Sequence, residues 1–195
     1  MQRTYHCEPL QAADAQALAE LFAAAKAPCH CRWWDFHGDK NEWLDRCYNR
    51  PEVNRGELLQ AVEERALPGI VARHAPGEAI VGWLRLSPAA QIPKLYEQRL
   101  YRGLPCFQGE RAGVMTLGCF LVHPGERRQG VARALLTHGV SYARQHQGTA
   151  LEAFPRRDEA VGPEALWTGP FDLLSEFGFE VVNDFGPYPV MRLRL

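Results

Sequence analysis

No apolar run in this chain approaches the ~20 residues that a helix needs to cross a bilayer, so a membrane-spanning helix is excluded. The first residues, Met1-Gln2-Arg3-Thr4-Tyr5-His6, lack the apolar stretch of a secretory signal, and the expected location is cytoplasmic. Neither sign of charge is in excess. The 22 basic and 23 acidic residues leave a net charge of -1, which argues against a nucleic-acid partner, because that surface needs a basic stripe. No internal repeat or low-complexity tract is present. In a cytoplasmic chain the six cysteines are expected to be reduced thiols, not a disulfide framework.

What is present reads as one globular domain over residues 1–195, with 46% hydrophobic residues to build a core. A first strand fits residues 4 to 10. The apolar face of Ala15, Leu18, Ala19, Leu21, Phe22 and Ala25 predicts a helix over 11 to 26, ended by Pro28. Residues 28 to 51 read as irregular, with a short helix over 40 to 48. A second long helix is expected over 54 to 66, capped by Asn54. Two apolar runs, 70–72 and 79–86, flank Pro76-Gly77-Glu78 and predict a hairpin. The proline-rich stretch 87–111 reads as mostly loop, long enough to form one wall of a site. Beyond it follow a strand over 113–122, a helix over 129–145 and a strand over 149–154. A charged loop covers 155–168. A helix then opens at Gly169-Pro170 and ends at Gly178, before two last strands at 179–184 and 188–195. This order implies a mixed α/β fold around one sheet.

The most informative segment runs from Cys119 to Ala132. An apolar strand stops at Pro124, a short loop Gly125-Glu126-Arg127-Arg128-Gln129-Gly130 follows, and an amphipathic helix begins. A helix N-terminus presents unpaired N–H groups and the positive end of the helix dipole, and the arginines add to both. A phosphate or pyrophosphate is the expected guest. Gly130 fits because the backbone must approach such a group closely.

Arg127-Arg128-Gln129-Gly130-Val131-Ala132 resembles the Gln/Arg-x-x-Gly-x-Gly/Ala signature of the GNAT acetyltransferase family. The strand ending Val122-x-Pro124 and the helix ending in Phe177-Gly178-Phe179 extend the likeness over roughly residues 69–195. Cys29-x-Cys31-x-x-Trp34 and the ending Gly186-Pro187-Tyr188-Pro189-Val190-Met191-Arg192-Leu193 also look like a subgroup of that family. The resemblance implies a GNAT-like, mainly antiparallel sheet flanked by helices, with strands splayed at a cofactor groove. It implies acetyl-CoA as cofactor and transfer of the acetyl group to a primary amine by direct attack. By position, the backbone of Arg127, Arg128, Gln129, Gly130, Val131 and Ala132 would take the pyrophosphate. Phe120, Leu121 and Val122 would face the pantetheine arm and offer donors to a developing oxyanion. The family's usual tyrosine acid falls at Leu174, and its usual asparagine after the fifth strand is missing, with Thr168 the nearest polar substitute.

Glu152, on the strand beside the cradle strand, is the candidate base, or else a structural carboxylate. Cys119 is a candidate nucleophile, or a small buried hydrophobe. Cys29, Cys31, Trp33 and Trp34 are candidates for an acceptor pocket, or plain core. No metal site is expected, although Cys29-His30-Cys31 with His37 and Cys47 keeps open a thiol or zinc protein built on residues 29–47. A CoA-binding sensor or interaction module without catalysis is the remaining alternative. The acceptor would be a small-molecule or peptide amine, and a terminal strand pair could support a homodimer.

Overall fold

The computed structural model describes residues 3–157, 162 and 166–195. Seven strands form one open sheet in the order β1-β2-β3-β4-β5-β7-β6. They are β1 (His6–Pro9), β2 (Gly69–Arg73), β3 (Gly82–Pro88), β4 (Val114–Val122), β5 (Ala150–Ala153), β6 (Glu180–Asn183) and β7 (Val190–Arg194). The sheet is mainly antiparallel. The exception is β4 beside β5, which run parallel because the 15-residue helix α5 (Val131–Gln145) carries the chain back between them. The mixed α/β class and splayed sheet expected from the sequence are what the structure has.

Contacts divide the chain into two compact units, one of Met1–Trp83 with Leu121–Leu135, the other of Leu84–Phe120 with Leu136–Leu195. In the first unit, α1 (Ala15–Ala24) buries Ala15, Leu18, Ala19, Leu21 and Phe22, the stripe read from the sequence. A single 3-10 turn, Ala12–Asp14, precedes it. The helix α2 (Lys40–Tyr48) starts at a reciprocal cap. Asp39 Oδ1 accepts the N–H groups of Asn41 and Glu42, while Glu42 Oε2 accepts that of Asp39. The hairpin of β2 and β3 closes with Val81 N–H donating to Ala72 O at 2.8 Å.

One expectation is overturned here. Asn54 does not cap a helix, because α3 (Pro51–Glu63) begins three residues earlier, with Pro51 in its first turn. Proline suits that position since its missing N–H has no helical partner there. Asn54 is instead fully buried, and its Nδ2 donates to Pro28 O at 3.0 Å and to Cys47 Sγ at 3.8 Å. It ties the irregular segment to the two helices. Asn54→Ala is expected to cost about 0.5–1.5 kcal/mol, because the hydrogen bond to Pro28 O is lost while His30 Nδ1 still reaches that oxygen at 3.2 Å. Urea unfolding would read this as a lower midpoint at unchanged slope.

In the second unit, the stretch 87–111 is less loop-like than its prolines suggest. It holds a 3-10 turn at Ala89–Gln91, a helical turn α4 (Pro93–Tyr96) and another 3-10 turn at Pro105–Phe107. The proline rings that exclude strand here start these turns. Gly139 of α5 lets the helix lie close to the sheet, since a Cβ there would meet Leu84 Cδ2 at 3.0 Å. The helix α6 (Phe171–Glu176) begins after Pro170, which is its cap and not its first residue, and Gly178 ends it at φ +84°. Much of the charged loop expected over 155–168 lies outside the described residues.

Candidate active site

The cradle lies in the first unit and is held from several directions. Pro124–Glu126 forms a 3-10 turn whose Gly125 N–H donates to His123 Nδ1 at 3.2 Å. Gln129 Nε2 donates to Gly125 O at 2.8 Å and braces the loop across its width. Glu126 accepts from Tyr5 Oη at 3.2 Å and pairs with Arg3 and His74, which anchors the turn to the N-terminal segment and to the end of β2. Arg128 at φ +62° and Gly130 at φ +97° are both left-handed. Backbone that alternates in hand over successive residues turns its N–H groups to one side, which is an anion nest. Gly130 O then accepts from Ala134 N–H at 3.0 Å, so α5 starts directly at the loop. A Cβ on Gly130 would meet no protein atom within 4 Å, so the loop needs glycine there for its backbone angle and not for room within the protein. These residues fit a pyrophosphate.

In the second unit, the parallel strands part where the sequence reading expected a groove. The pairs Val114–Ala150, Met115–Leu151 and Thr116–Glu152 are in register, and the pairing ends there. Beyond that point Phe120 N–H donates to Trp167 O at 2.6 Å, so the returning segment supplies the partner that β5 does not. Of the three strand positions expected to face a pantetheine arm, Phe120 thus has its amide engaged, and Leu121 N–H points with that of His123 to the β3 side, so Val122 is the remaining position whose amide faces away from β3. Cys119 is buried within the strand, as is Thr168 in the returning segment. Leu174 is fully buried, so the position of the family's tyrosine is packed as core.

Glu152 is the centre of a polar network that no local pattern announced. Its side chain is inaccessible, and both oxygens are occupied. Oε2 accepts from Tyr96 Oη at 2.6 Å and Arg111 Nη2 at 2.8 Å. Oε1 accepts from Arg111 Nη1 at 3.1 Å, Arg192 Nε at 3.1 Å and Arg192 Nη2 at 2.5 Å. Tyr96 Oη also meets Thr116 Oγ1 at 2.5 Å, and Arg111 lies over the Tyr96 ring at 4.8 Å. Burial alone would raise the Glu152 pKa. The hydrogen bonds and charge of Arg111, with those of Tyr96 and Arg192, outweigh burial and hold it below the ordinary carboxylate range. The same burial, with the Glu152 charge, pushes the Tyr96 hydroxyl up. A carboxylate held ionised by two guanidiniums is a weak proton acceptor, which favours the structural reading of Glu152 over that of a base. Tyr96, Arg111 and Arg192 were missed from the sequence. The available signal was Glu152 in the apolar run of β5 and Arg192 in that of β7, since a charge in a buried strand requires a partner.

The Cys/Trp segment belongs to the first unit and is mostly core. Cys31 and Trp34 are buried, and Cys29 and Trp33 are half-buried. His30 at φ +44° and Cys31 at φ +58° make a tight left-handed turn, and His30 stacks on Phe22. Trp43 packs against Trp33 and Phe36, each at 5.2 Å between ring centroids. Burial, reinforced by the neighbouring Cys31 and Cys47 thiols, pushes the Cys29 thiol up to about 11, which disfavours thiolate chemistry. Among the described residues no three His, Cys, Asp or Glu side chains are placed to hold a metal ion. Cys31 and Trp34 are thus packed as core in this structure.

A mainly antiparallel sheet with one parallel pair, β4 and β5, joined through α5 defines the class as a mixed α/β fold. The Acetyltransferase (GNAT) family profile matches residues 31–162, and the chain belongs to that family. The match reaches back across α2 and α3, further than the resemblance read from residue 69 onward. No curated protein sequence matches the chain. Solved structures with the same fold include PaiA N-acetyltransferase from Thermoplasma acidophilum in complex with coenzyme A, at 13% identity and TM-score 0.55, with 98% of this chain and 99% of that one covered. A GCN5-related N-acetyltransferase from Kribbella flavida aligns at 18% identity and TM-score 0.56, over 98% of each chain. YncA from Salmonella typhimurium, with its cofactor acetyl-CoA, aligns at 18% identity and TM-score 0.53, over 98% of this chain and 94% of that one.

Proposed function

We propose that this protein transfers an acetyl group from acetyl-CoA to a primary amine. The observation that carries the reading is the left-handed Arg128–Gly130 loop at the start of α5, immediately after the strand that parts from β5. Backbone N–H groups of Arg127 to Ala132 would hold the pyrophosphate, with the Arg127 and Arg128 guanidiniums nearby. Leu121 and Val122 would line the pantetheine arm, with Cys119 and Thr168 as packing around it. Bound acetyl-CoA would supply an acetyl thioester; an unprotonated amine attacks its carbonyl carbon, the C–S bond breaks, and CoA leaves as a thiolate that takes its proton from solvent.

The protein must supply that unprotonated amine. An alkyl ammonium has a pKa of about 10.4, so generating the free amine near neutral pH costs about 4 kcal/mol. Glu152 is too strongly paired to take the proton. The one net positive charge of the Arg111–Glu152–Arg192 cluster acts instead: positive charge near an ammonium lowers its pKa and favours loss of the proton to water. In this reading Glu152 and Tyr96 are positioning residues that hold the two guanidiniums.

The test is isothermal calorimetry with acetyl-CoA, followed by free-thiol release with a panel of primary amines. Binding together with turnover supports the proposal, and absence of binding overturns it. One observation favours a second reading. Leu174 is packed as core where the family's acid stands, which suits a CoA-binding sensor. Tight binding without turnover on any amine would establish the sensor instead.

A further inference from the structure

The second unit contains an open depression of about 270 Å³ on the same side of the sheet as Glu152, bordered by Cys106, Arg111, Val114, Ala150, Arg192 and Arg194. In-register neighbours share a face, and Ala150 pairs with Arg194 as Glu152 pairs with Arg192, which puts both arginines of β7 on it. Arg111 and Arg192 keep 26% and 21% of their side chains exposed, so each is paired with Glu152 yet still reaches the solvent side.

The charges there do not balance. Arg111, Arg192 and Arg194 face two carboxylates. Glu152 is taken up by Arg111 and Arg192, and Glu110, which also borders the depression, turns one oxygen to the backbone N–H groups of Arg111 and Ala112. Arg194 has no ion pair among the described residues. One positive charge is left over, enough for a single carboxylate, and guanidiniums are suited to bind one through paired hydrogen bonds.

The geometry points to a carboxylate subsite for the acceptor, with Arg194 as its main determinant and Arg111 and Arg192 at its inner wall. This rests on the acetyltransferase reading, and it names the substrate class: an amine that carries a carboxylate at a distance. The strands part just beyond the Thr116–Glu152 pair, and the depression lies at the Val114–Ala150 pair, two residues earlier. At ~3.3 Å per residue the two points are about 7 Å apart or more. The amine and carboxylate of an α-amino acid, only ~3 Å apart, cannot span that interval. An ω-amino acid with a six-carbon chain can, as can the backbone of a short peptide.

The experiment compares ω-aminohexanoate with its uncharged amide, ω-aminohexanamide, and adds glycine and triglycine. Binding is read by calorimetry and transfer by thiol release, on the wild-type protein, on Arg194→Gln, and on Arg99→Gln as a control at an exposed arginine that does not border the depression. The wild type should prefer ω-aminohexanoate over the amide by on the order of tenfold in kcat/KM and in affinity. Glycine should be poor. Arg194→Gln should reduce the preference to near unity through KM, whereas Arg99→Gln should preserve it. Preference for triglycine over ω-aminohexanoate would assign the subsite to peptides, and the reverse to free ω-amino acids. Equal transfer to acid and amide overturns the subsite and leaves the transferase reading intact. Carboxylate binding that depends on Arg194 without any transfer supports the subsite and overturns the transferase reading.

Discussion

Gly130→Glu should abolish measurable acetyl-CoA binding, lowering affinity by at least about 100-fold. Two effects add. At φ +97° an L-residue is strained by roughly 1–3 kcal/mol, so the loop shifts away from its donor geometry. If the loop holds the pyrophosphate, the new carboxylate would also stand beside it and repel it. Gly130→Ala separates the two, because it carries the strain without the charge and should lose distinctly less affinity. No protein atom lies within 4 Å of the position that the added Cβ would take, so the fold has room for either side chain. The melting temperature should therefore fall through the strain alone, by roughly 2–12 °C, and by a similar amount in both variants. The check is calorimetric titration with acetyl-CoA beside a melting curve. Unchanged affinity in Gly130→Glu would mean that this loop does not hold the cofactor.

The second large effect is expected from Glu152→Leu. The substitution leaves the Arg111 and Arg192 guanidiniums, both about three-quarters buried, facing each other without a carboxylate. Removing one partner of a buried ionic cluster costs about 3–5 kcal/mol, and the partial exposure of both arginines puts this case near 3 kcal/mol. For a chain of this size that is a fall in melting temperature of roughly 6–12 °C. Combining Glu152→Leu with Arg111→Leu and Arg192→Leu should recover much of the loss, because a repacked apolar cluster has no unpaired charge. The same network sets an acid limit. The Glu152 pKa is depressed in the folded state, so its stabilisation is fully present above the ordinary carboxylate value of about 4.3 and is lost as pH falls through the folded value. Stability measured from pH 6 downward should thus fall more steeply in the wild type than in Glu152→Gln, which has no proton to take up there. Parallel profiles would show that Glu152 is not held ionised in the fold.

These two residues differ in how they could be found. Gly130 lies in a segment whose meaning is local. Strand, loop, glycine and helix start follow one another within a dozen residues, and each has its own chemical signature. The stripe of α1 and the paired runs of β2 and β3 were legible for the same reason. Asn54 shows where local reading misleads: a residue that favours helix caps stands inside α3 because Pro28 and Cys47 need its amide. The stretch 87–111 shows the same in another form. Its prolines were read as loop, yet they set the short turns that bring Tyr96 and Arg111 to Glu152.

The sequence by itself determined the fold class and the family, because periodicity and short-range order are written along the chain. The tertiary structure alone decided that Glu152 is paired with Tyr96, Arg111 and Arg192, and that the Phe120 amide goes to Trp167. It also decided that Cys31 and Trp34 pack as core, and that Arg111, Arg192 and Arg194 border one depression. Those outcomes depend on partners as far as 86 residues apart, as Cys106 O and Arg192 are. Over such separations no local pattern records the pairing, and only the competition of buried polar groups for partners selects it.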